Sequence, residues 1–457
     1  MRYFFLLLLT IPIEIFACSA FFSDGESKLL AKNFDWSSGQ GYIIKNKKGQ
    51  TKFAYGLRGS NQAHWTSKYG SITFNQIGKE FPYGGMNEKG LVVEQLWMSE
   101  SIYQDNGNQS ISELEWIQFQ LDNYATVDEL IQGINKLSIK PIVTVHYFIA
   151  DQSGNSAVID FVDAKTIVSR KLGKNQVITN ETFLSSESYF EANRLKIDKN
   201  SRTHFDRFCQ IKNALSSLDV KSPEQAFEIL GESAENRRNY KTYWSIVYDL
   251  SKLEVHFKSL SNRSLKKIKI SDLDFTEQSD LEAFEMNTDS LQLKPYTFEI
   301  NEKLFHAALK MMNLKMDQSL GAKHQMEPNE QRIDKTFQAG YVNLSIVFQS
   351  LYPSGNIYYT IIEGEENFKN KKGLRAGVFS INKLENNKMV YTLPKGNYAL
   401  ACFLDTDLDG KIDKNVLGIP KNFGFSRNNR GLLGTPPKYR DANIDIKEDS
   451  EILVTIR

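Results

Sequence analysis

The chain has 457 residues, more than one hydrophobic core usually organises, so two domains are the expected arrangement. Its 56 basic and 55 acidic side chains nearly cancel, which argues against a basic nucleic-acid patch and against an acidic solvating tail. Three cysteines are too few for a disulfide framework, and an aromatic content of 12% supplies apolar area for cores and ligand pockets.

The chain opens on an apolar leader. Residues 4–9 and 11–17 are largely apolar, Arg2 is the lone charge before them, and Pro12 and Glu14 interrupt the run. Ala17, with Ile15 two residues before it, forms a usable cleavage site, so 1–17 reads as a signal peptide that sends the protein to the periplasm or out of the cell. Fewer than about 20 apolar residues do not span a bilayer as a helix, so no transmembrane span is expected. Ile15-Phe16-Ala17-Cys18 also loosely resembles a lipobox, although Phe16 is bulky where a small residue is usual. In that alternative Cys18 is lipidated and the protein is an envelope lipoprotein with a binding role.

Cleavage after Ala17 makes Cys18 the first residue, with its thiol and a free α-amine on one carbon. The thiol titrates near about 8.5 and an α-amine at about 7.7 to 8.0, so the amine can take the proton the thiol must lose. No histidine is then required. The six histidines (His64, His146, His204, His256, His306, His324) fall in no recognisable Cys/His signature.

Further along, Thr126 with Glu129 three residues later signals a helix start. The runs 143–150 and 156–162 flank Asp151-Gln152-Ser153-Gly154-Asn155, which has turn chemistry, and predict a hairpin. Phe205, Phe208, Ile211 and Leu215 repeat at helical spacing over 203–217, and Ser222-Pro223-Glu224-Gln225 opens another helix. A second hairpin is expected at 242–250 and 253–260. Strands grouped with helices between them favour an α+β layered fold over a regular βαβ series. Residues 301–314 suit a helix, and 315–335, polar and broken by Gly321 and Pro328, suits a linker. Beyond it, 342–350, 356–363, 389–393, 398–404 and 451–456 are short strand-like runs separated by turns, the pattern of a small all-β sandwich.

Several pieces occur in a telling order: Cys18, Lys32-Asn33-Phe34-Asp35-Trp36, Gly85-Met86-Asn87-Glu88-Lys89-Gly90-Leu91, His146 to Phe161, Ile178-Thr179-Asn180 and Asp206-Arg207-Phe208. Together they resemble the choloylglycine hydrolase family, whose members include bile salt hydrolases, penicillin V acylases and other linear-amide hydrolases with N-terminal nucleophiles. The resemblance covers roughly 18–275. It implies an N-terminal-nucleophile amidase domain over 18–300 with an αββα four-layer sandwich, a helix and linker over 301–335, and a β-sandwich domain over 336–457. The 340–457 segment is similar to an uncharacterised β-sandwich family.

The resemblance also assigns roles. Cys18 is the nucleophile and its amine the base; Asp35 accepts hydrogen bonds from the thiol or ammonium. Asn180 donates to the oxyanion, and Arg207 anchors the site electrostatically. Lys32 stands where the family usually has arginine, so a point charge replaces a planar fork at a position expected to hold Asp35 or the chain terminus. Trp97, with Trp36, is shared with a Gram-negative branch resembling penicillin V and acyl-homoserine-lactone acylases, and two indoles suit an aryl or fatty acyl group. The reaction expected is hydrolysis of small N-acyl amides through an acyl-enzyme, with conjugated bile salts as the alternative substrate. It calls for no catalytic cofactor, and self-association into a homo-oligomer is compatible with it.

A second candidate site is the Asp405-Thr406-Asp407-Leu408-Asp409-Gly410 loop, in which Asp405, Asp407, Asp409 and Asp413 fall at calcium-ligand positions one, three, five and nine. Position twelve is Val416, so the bidentate glutamate is missing. A structural calcium site and a metal-free Asp-rich turn are equally compatible with the loop.

Overall fold

The computed structural model describes residues 18–55, 61–193, 201, 203–237, 240–311, 326, 341–370, 373, 375–381, 387–407, 412, 421–431 and 435–457. The leader and most of the expected linker lie outside the described residues. The described chain forms two compact units, 18–311 with Met326, and 341–457.

In chain order the first unit contains β1 (Ser19–Asp24), β2 (Lys28–Trp36), β3 (Tyr42–Asn46), β4 (Thr51–Phe53), β5 (His64–Thr66), β6 (Ser71–Asn75), β7 (Pro82–Asn87), β8 (Val92–Trp97), β9 (Ser110–Ile111), α1 (Glu113–Asn123), α2 (Val127–Gln132), β10 (Ser138–Ile139), β11 (Val145–Ala150), β12 (Ser156–Val162), β13 (Lys165–Arg170), β14 (Asn175–Ile178), α3 (Phe183–Asn193), α4 (His204–Ser217), α5 (Pro223–Glu232), β15 (Lys241–Asp249), β16 (Glu254–Ser259), β17 (Lys266–Lys269), β18 (Glu282–Glu285), β19 (Leu293–Pro295) and α6 (Phe298–Met311). One sheet has the order β14-β1-β2-β15-β16-β17, the other β13-β12-β11-β8-β7-β6-β3-β18-β19.

The two sheets pack face to face. Phe74 of β6 meets Trp244 and Tyr248 of β15 and Phe257 of β16 at ring-centroid distances of 6.4, 6.2 and 5.9 Å. On the outer face of the six-stranded sheet, Phe21, Leu29, Ala31 and Val247 form one apolar cluster with Phe190, Phe208, Ile211, Leu215, Phe227 and Leu230 of α3, α4 and α5. The other sheet is covered by α1, whose Trp116 stacks on Tyr147 at 4.2 Å and whose Glu113 carbonyl accepts the Tyr147 hydroxyl at 2.7 Å. The result is the αββα sandwich expected from the sequence.

Local chemistry explains the elements. Thr126, Thr203 and Ser222 each accept a backbone N–H of the first turn of α2, α4 and α5, as N-caps do. Both predicted hairpins form, β11 with β12 and β15 with β16. In the first, Asp151 accepts from Ser153 N at 2.9 Å and also caps α2 by accepting from Val127 N at 2.7 Å. The turn between β7 and β8 needs Gly90 at φ +79°, and Asn87 holds it by accepting from Lys89 N and Leu91 N. The same Asn87 donates to Leu121 and Tyr124 carbonyls, so this motif ties the central strands to the end of α1. Helix α1 carries a full capping box, Ser112 with Glu115, a signal present in the sequence and passed over.

The second unit contains β20 (Tyr341–Ser350), β21 (Asn356–Glu363), α7 (Gly364–Lys369), β22 (Arg375–Ser380), β23 (Lys388–Pro394), β24 (Gly396–Asp405), β25 (Phe423–Phe425), α8 (Tyr439–Ala442), β26 (Ile444–Ile446) and β27 (Ser450–Ile456). Its sheets run β23-β20-β27 and β22-β21-β24-β25, with β26 on β24. Leu344, Ile346, Leu393 and Val454 of one sheet share a core with Ile357, Ile361, Leu400 and Leu404 of the other, a sandwich as the alternating runs predict.

Candidate active site

Cys18 stands immediately before β1, where Ser19 pairs with Asn33 of β2 in antiparallel register. The residue is 3% exposed, and its Sγ lies 3.9 Å from the Asp35 carbonyl oxygen. Its nitrogen is in peptide linkage to Ala17. Burial pushes the thiol up to about 11, with the Asp35 charge adding to the rise and Lys32 and Arg207 opposing it.

Successive residues of β2 point to opposite faces. Ala31, Asn33 and Asp35 face the helices: Ala31 packs in their cluster, Asn33 donates to Leu230 of α5 at 2.7 Å, and the Asp35 Oδ1 accepts the Thr242 hydroxyl. The Asp35 Oδ2 is buried with no hydrogen-bond partner among the described residues. Burial raises the Asp35 carboxyl to about 7, against the pull of Arg207 and Thr242.

Lys32 and Phe34 take the opposite, inner face. Lys32 Nζ lies 2.5 Å from Glu94 Oε2 of β8 and donates to the Tyr83 carbonyl at 3.2 Å, with both charged side chains 1% exposed. This corrects the expectation that Lys32 holds Asp35. Three residues apart on a strand, the two are on opposite faces, and the cation acting most strongly on Asp35 is Arg207. Glu94 receives a second bond from Tyr248, and Gly84 lies flat against its carboxylate, where any Cβ would collide.

Arg207 projects from α4 and is fully buried. Its Nη1 donates to the Cys18 carbonyl at 2.7 Å and to Ser19 Oγ at 2.6 Å, and its Nη2 to Asn180 Oδ1 at 3.0 Å. Asn180, two residues beyond β14, donates from Nδ2 to the Trp97 carbonyl at 2.8 Å. The guanidinium therefore fixes both the backbone of Cys18 and the orientation of the Asn180 amide. Of the residues expected to work together, Cys18, Asp35, Asn180 and Arg207 converge, and Trp97 joins them through its main chain. The Trp36 ring sits in an aromatic group with Phe34 and Tyr83 at 6.2 and 6.3 Å. Tyr83 was missed from the sequence. The Cys18 charge adds to the rise that burial and Glu113 impose on its hydroxyl, and Phe34 packs on it at 4.9 Å.

Two other groups bear on metals. Asp405 is buried at the end of β24 and Asp407 follows it, but Asp409 and Asp413 lie outside the described residues. At the β15–β16 hairpin, Asp249, Glu254 and His256 have ligand atoms within 4.8 Å of one another. There Lys252 pairs with Asp249 at 3.1 Å and Lys267 with Glu254 at 3.3 Å, so the carboxylates are neutralised by the chain's own ammonium groups.

An αββα sandwich with a buried cysteine at the head of its first strand is the architecture of N-terminal-nucleophile hydrolases. Residues 18–206 match the family described as linear amide C-N hydrolases, choloylglycine hydrolase family, the family the motifs resemble. Residues 351–453 match a family described as an uncharacterized protein conserved in bacteria. A penicillin V acylase from Pectobacterium atrosepticum is 34% identical over 144 residues, 27% of this chain and 38% of that protein; the chain thus aligns with well under half of that relative's length. The solved penicillin V acylase from Agrobacterium tumefaciens superposes with a TM-score of 0.53 at 22% identity, covering 62% of this chain and 98% of that one, and shares the fold. A conjugated bile acid hydrolase from Clostridium perfringens gives a TM-score of 0.49 at 18% identity, with coverage of 61% and 97%.

Proposed function

We propose that the protein hydrolyses linear amide C–N bonds of small N-acyl substrates of the penicillin V type, through Cys18 as an N-terminal nucleophile. The observation that carries this reading is the Arg207 fork, which joins the Cys18 main chain to the Asn180 amide inside a buried site. The family match over 18–206 and the names of the relatives support the bond type and the acyl preference.

In this reading residues 1–17 are removed on export to the periplasm or beyond. The freed α-ammonium supplies the donor that the buried Asp35 Oδ2 lacks. It also sets a positive charge beside the thiol, which lowers the cost of forming the thiolate. The neutral amine takes the thiol proton and Sγ attacks the amide carbonyl carbon. Asn180 Nδ2, with one hydrogen on Trp97, gives its other hydrogen to the developing oxyanion. The α-ammonium protonates the leaving nitrogen, the C–N bond breaks, and a thioester remains on Cys18. Water, deprotonated by the amine, then releases the carboxylic acid and restores the thiol. Every step uses groups of the chain itself.

Mass spectrometry of the mature N-terminus, with hydrolysis of penicillin V and of glycine-conjugated bile salts, tests the reading. The expected result is a free Cys18 at the terminus, faster turnover of penicillin V, and loss of activity on the order of 10³-fold or more in Cys18→Ser. A lipidated Cys18, or full activity in that variant, overturns it; faster bile salt turnover moves the substrate class.

A further inference from the structure

His146 lies on β11 directly across from Asp160 on β12, completely buried. Both of its ring nitrogens face oxygen. Nδ1 is 2.8 Å from Asp160 Oδ1, and Nε2 is 2.8 Å from the Thr179 carbonyl. The other Asp160 oxygen accepts the Phe183 backbone N–H at 2.9 Å, which favours the ionised carboxylate. A carbonyl has no proton to give, and a carboxylate accepting at both oxygens has none either. Each ring nitrogen must therefore carry its own hydrogen.

The two partners bracket one short segment. His146 holds Thr179 at its start, Asp160 holds Phe183 at its end, and Asn180 lies between, with the Thr179 hydroxyl also tied to the His204 carbonyl at 2.9 Å. Trp97, whose carbonyl takes the Asn180 amide, pairs with Val145 beside His146 on the same sheet. The charged neighbours of the pair are Glu181, whose carboxylate is coupled to both His146 and Asp160, and His204, 3.8 Å from Glu181.

We propose that the His146 imidazolium and the Asp160 carboxylate form a positioning pair that sets Asn180 for the oxyanion of the amide hydrolysis proposed above. The inference rests on the assignment of Asn180 as an oxyanion donor. Neither residue touches substrate; both act through the backbone of 179–183. Fixing a donor that works only in the transition state bears on kcat rather than on substrate binding.

The test uses the mature protein. In His146→Gln the amide nitrogen still reaches Thr179 but gives no hydrogen to Asp160; in Asp160→Asn the charge is lost. Each variant is expected to lower kcat for amide hydrolysis about 10- to 100-fold with KM within about twofold, while iodoacetamide alkylates Cys18 at the wild-type rate. Nitrogen-15 NMR of the ring-labelled wild-type protein at neutral pH is expected to show both His146 nitrogens protonated. A single protonated nitrogen, unchanged kcat in soluble variants, or alkylation falling in step with kcat overturns the proposal. If the variants do not fold, the wild-type ring spectrum still decides it. A fully active Cys18→Ser protein instead removes the reading beneath, separately from any His146 result.

Discussion

The side chain on which the site turns is Arg207, because one guanidinium serves the Cys18 carbonyl, the Ser19 hydroxyl and the Asn180 amide at once. Lysine offers a point charge without that fork, so Arg207→Lys is expected to lower kcat about 10- to 100-fold in a steady-state assay while the protein stays folded. Asn180→Ala is expected to cost about 10²- to 10³-fold in kcat with little change in KM. Asp35 gives a pH test. In the chain that keeps Ala17, its folded carboxyl is raised to about 7 from an ordinary 3.8, so between those values the folded state holds more protons than the unfolded one. Its contribution therefore makes stability fall as pH rises from about 4 to about 7. An ammonium beside Asp35 removes the penalty, so melting curves of uncleaved and mature chains are expected to converge at acid pH and separate toward neutrality, the uncleaved chain melting lower. Cys18, Asp35, Asn180 and Arg207 were legible in the sequence because their motifs follow one another in a recognisable order. The partner of Lys32 was not, because Glu94 comes from a strand of the facing sheet. The His146–Asp160 pair was equally hidden: the hairpin was readable, but not that its two polar positions face each other and the Asn180 segment.

Among the elements, β2 does most to organise the molecule, and its five-residue motif reads as a wiring diagram once alternation is applied. Lys32 goes to Glu94, Asn33 to the last turn of α5, Phe34 onto Trp244 at 4.6 Å, and Asp35 to Thr242. The inner pair is buried, so removing one partner leaves an uncompensated charge. Lys32→Met is expected to destabilise the fold by about 3 to 5 kcal/mol in urea unfolding, and adding Glu94→Leu to recover much of that loss. Gly84→Ala drives a methyl into the Glu94 carboxylate and is expected to be destabilising by at least about 1 to 3 kcal/mol. Hairpins and capped helices were readable because their signals are local: alternation, turn residues and cap side chains. Helix α3 lacks such a signal at its start, since the contact that anchors Phe183 N comes from Asp160 on a distant strand. The short strand β25 shows the same limit, being only three residues long and defined by its partner β24.

At the scale of the whole chain, each unit carries a separate apolar core, one between and around the large sheets, the other between Ile346 and Leu400 and their neighbours. Scanning calorimetry of the intact protein is expected to resolve two transitions, with Lys32→Met lowering one and leaving the other in place. A single transition that shifts as one in the variant counts against independent cores. The peptide bond between Ala17 and Cys18 has a further consequence. While it is intact, the sulfur is an inert, protonated group sealed among carboxylate and aromatic neighbours, and the finished fold is harmless to amides. Switching on is thus a one-way event recorded in the covalent backbone: no effector turns such an enzyme off again, and its output is governed by how many chains have been cut, and where.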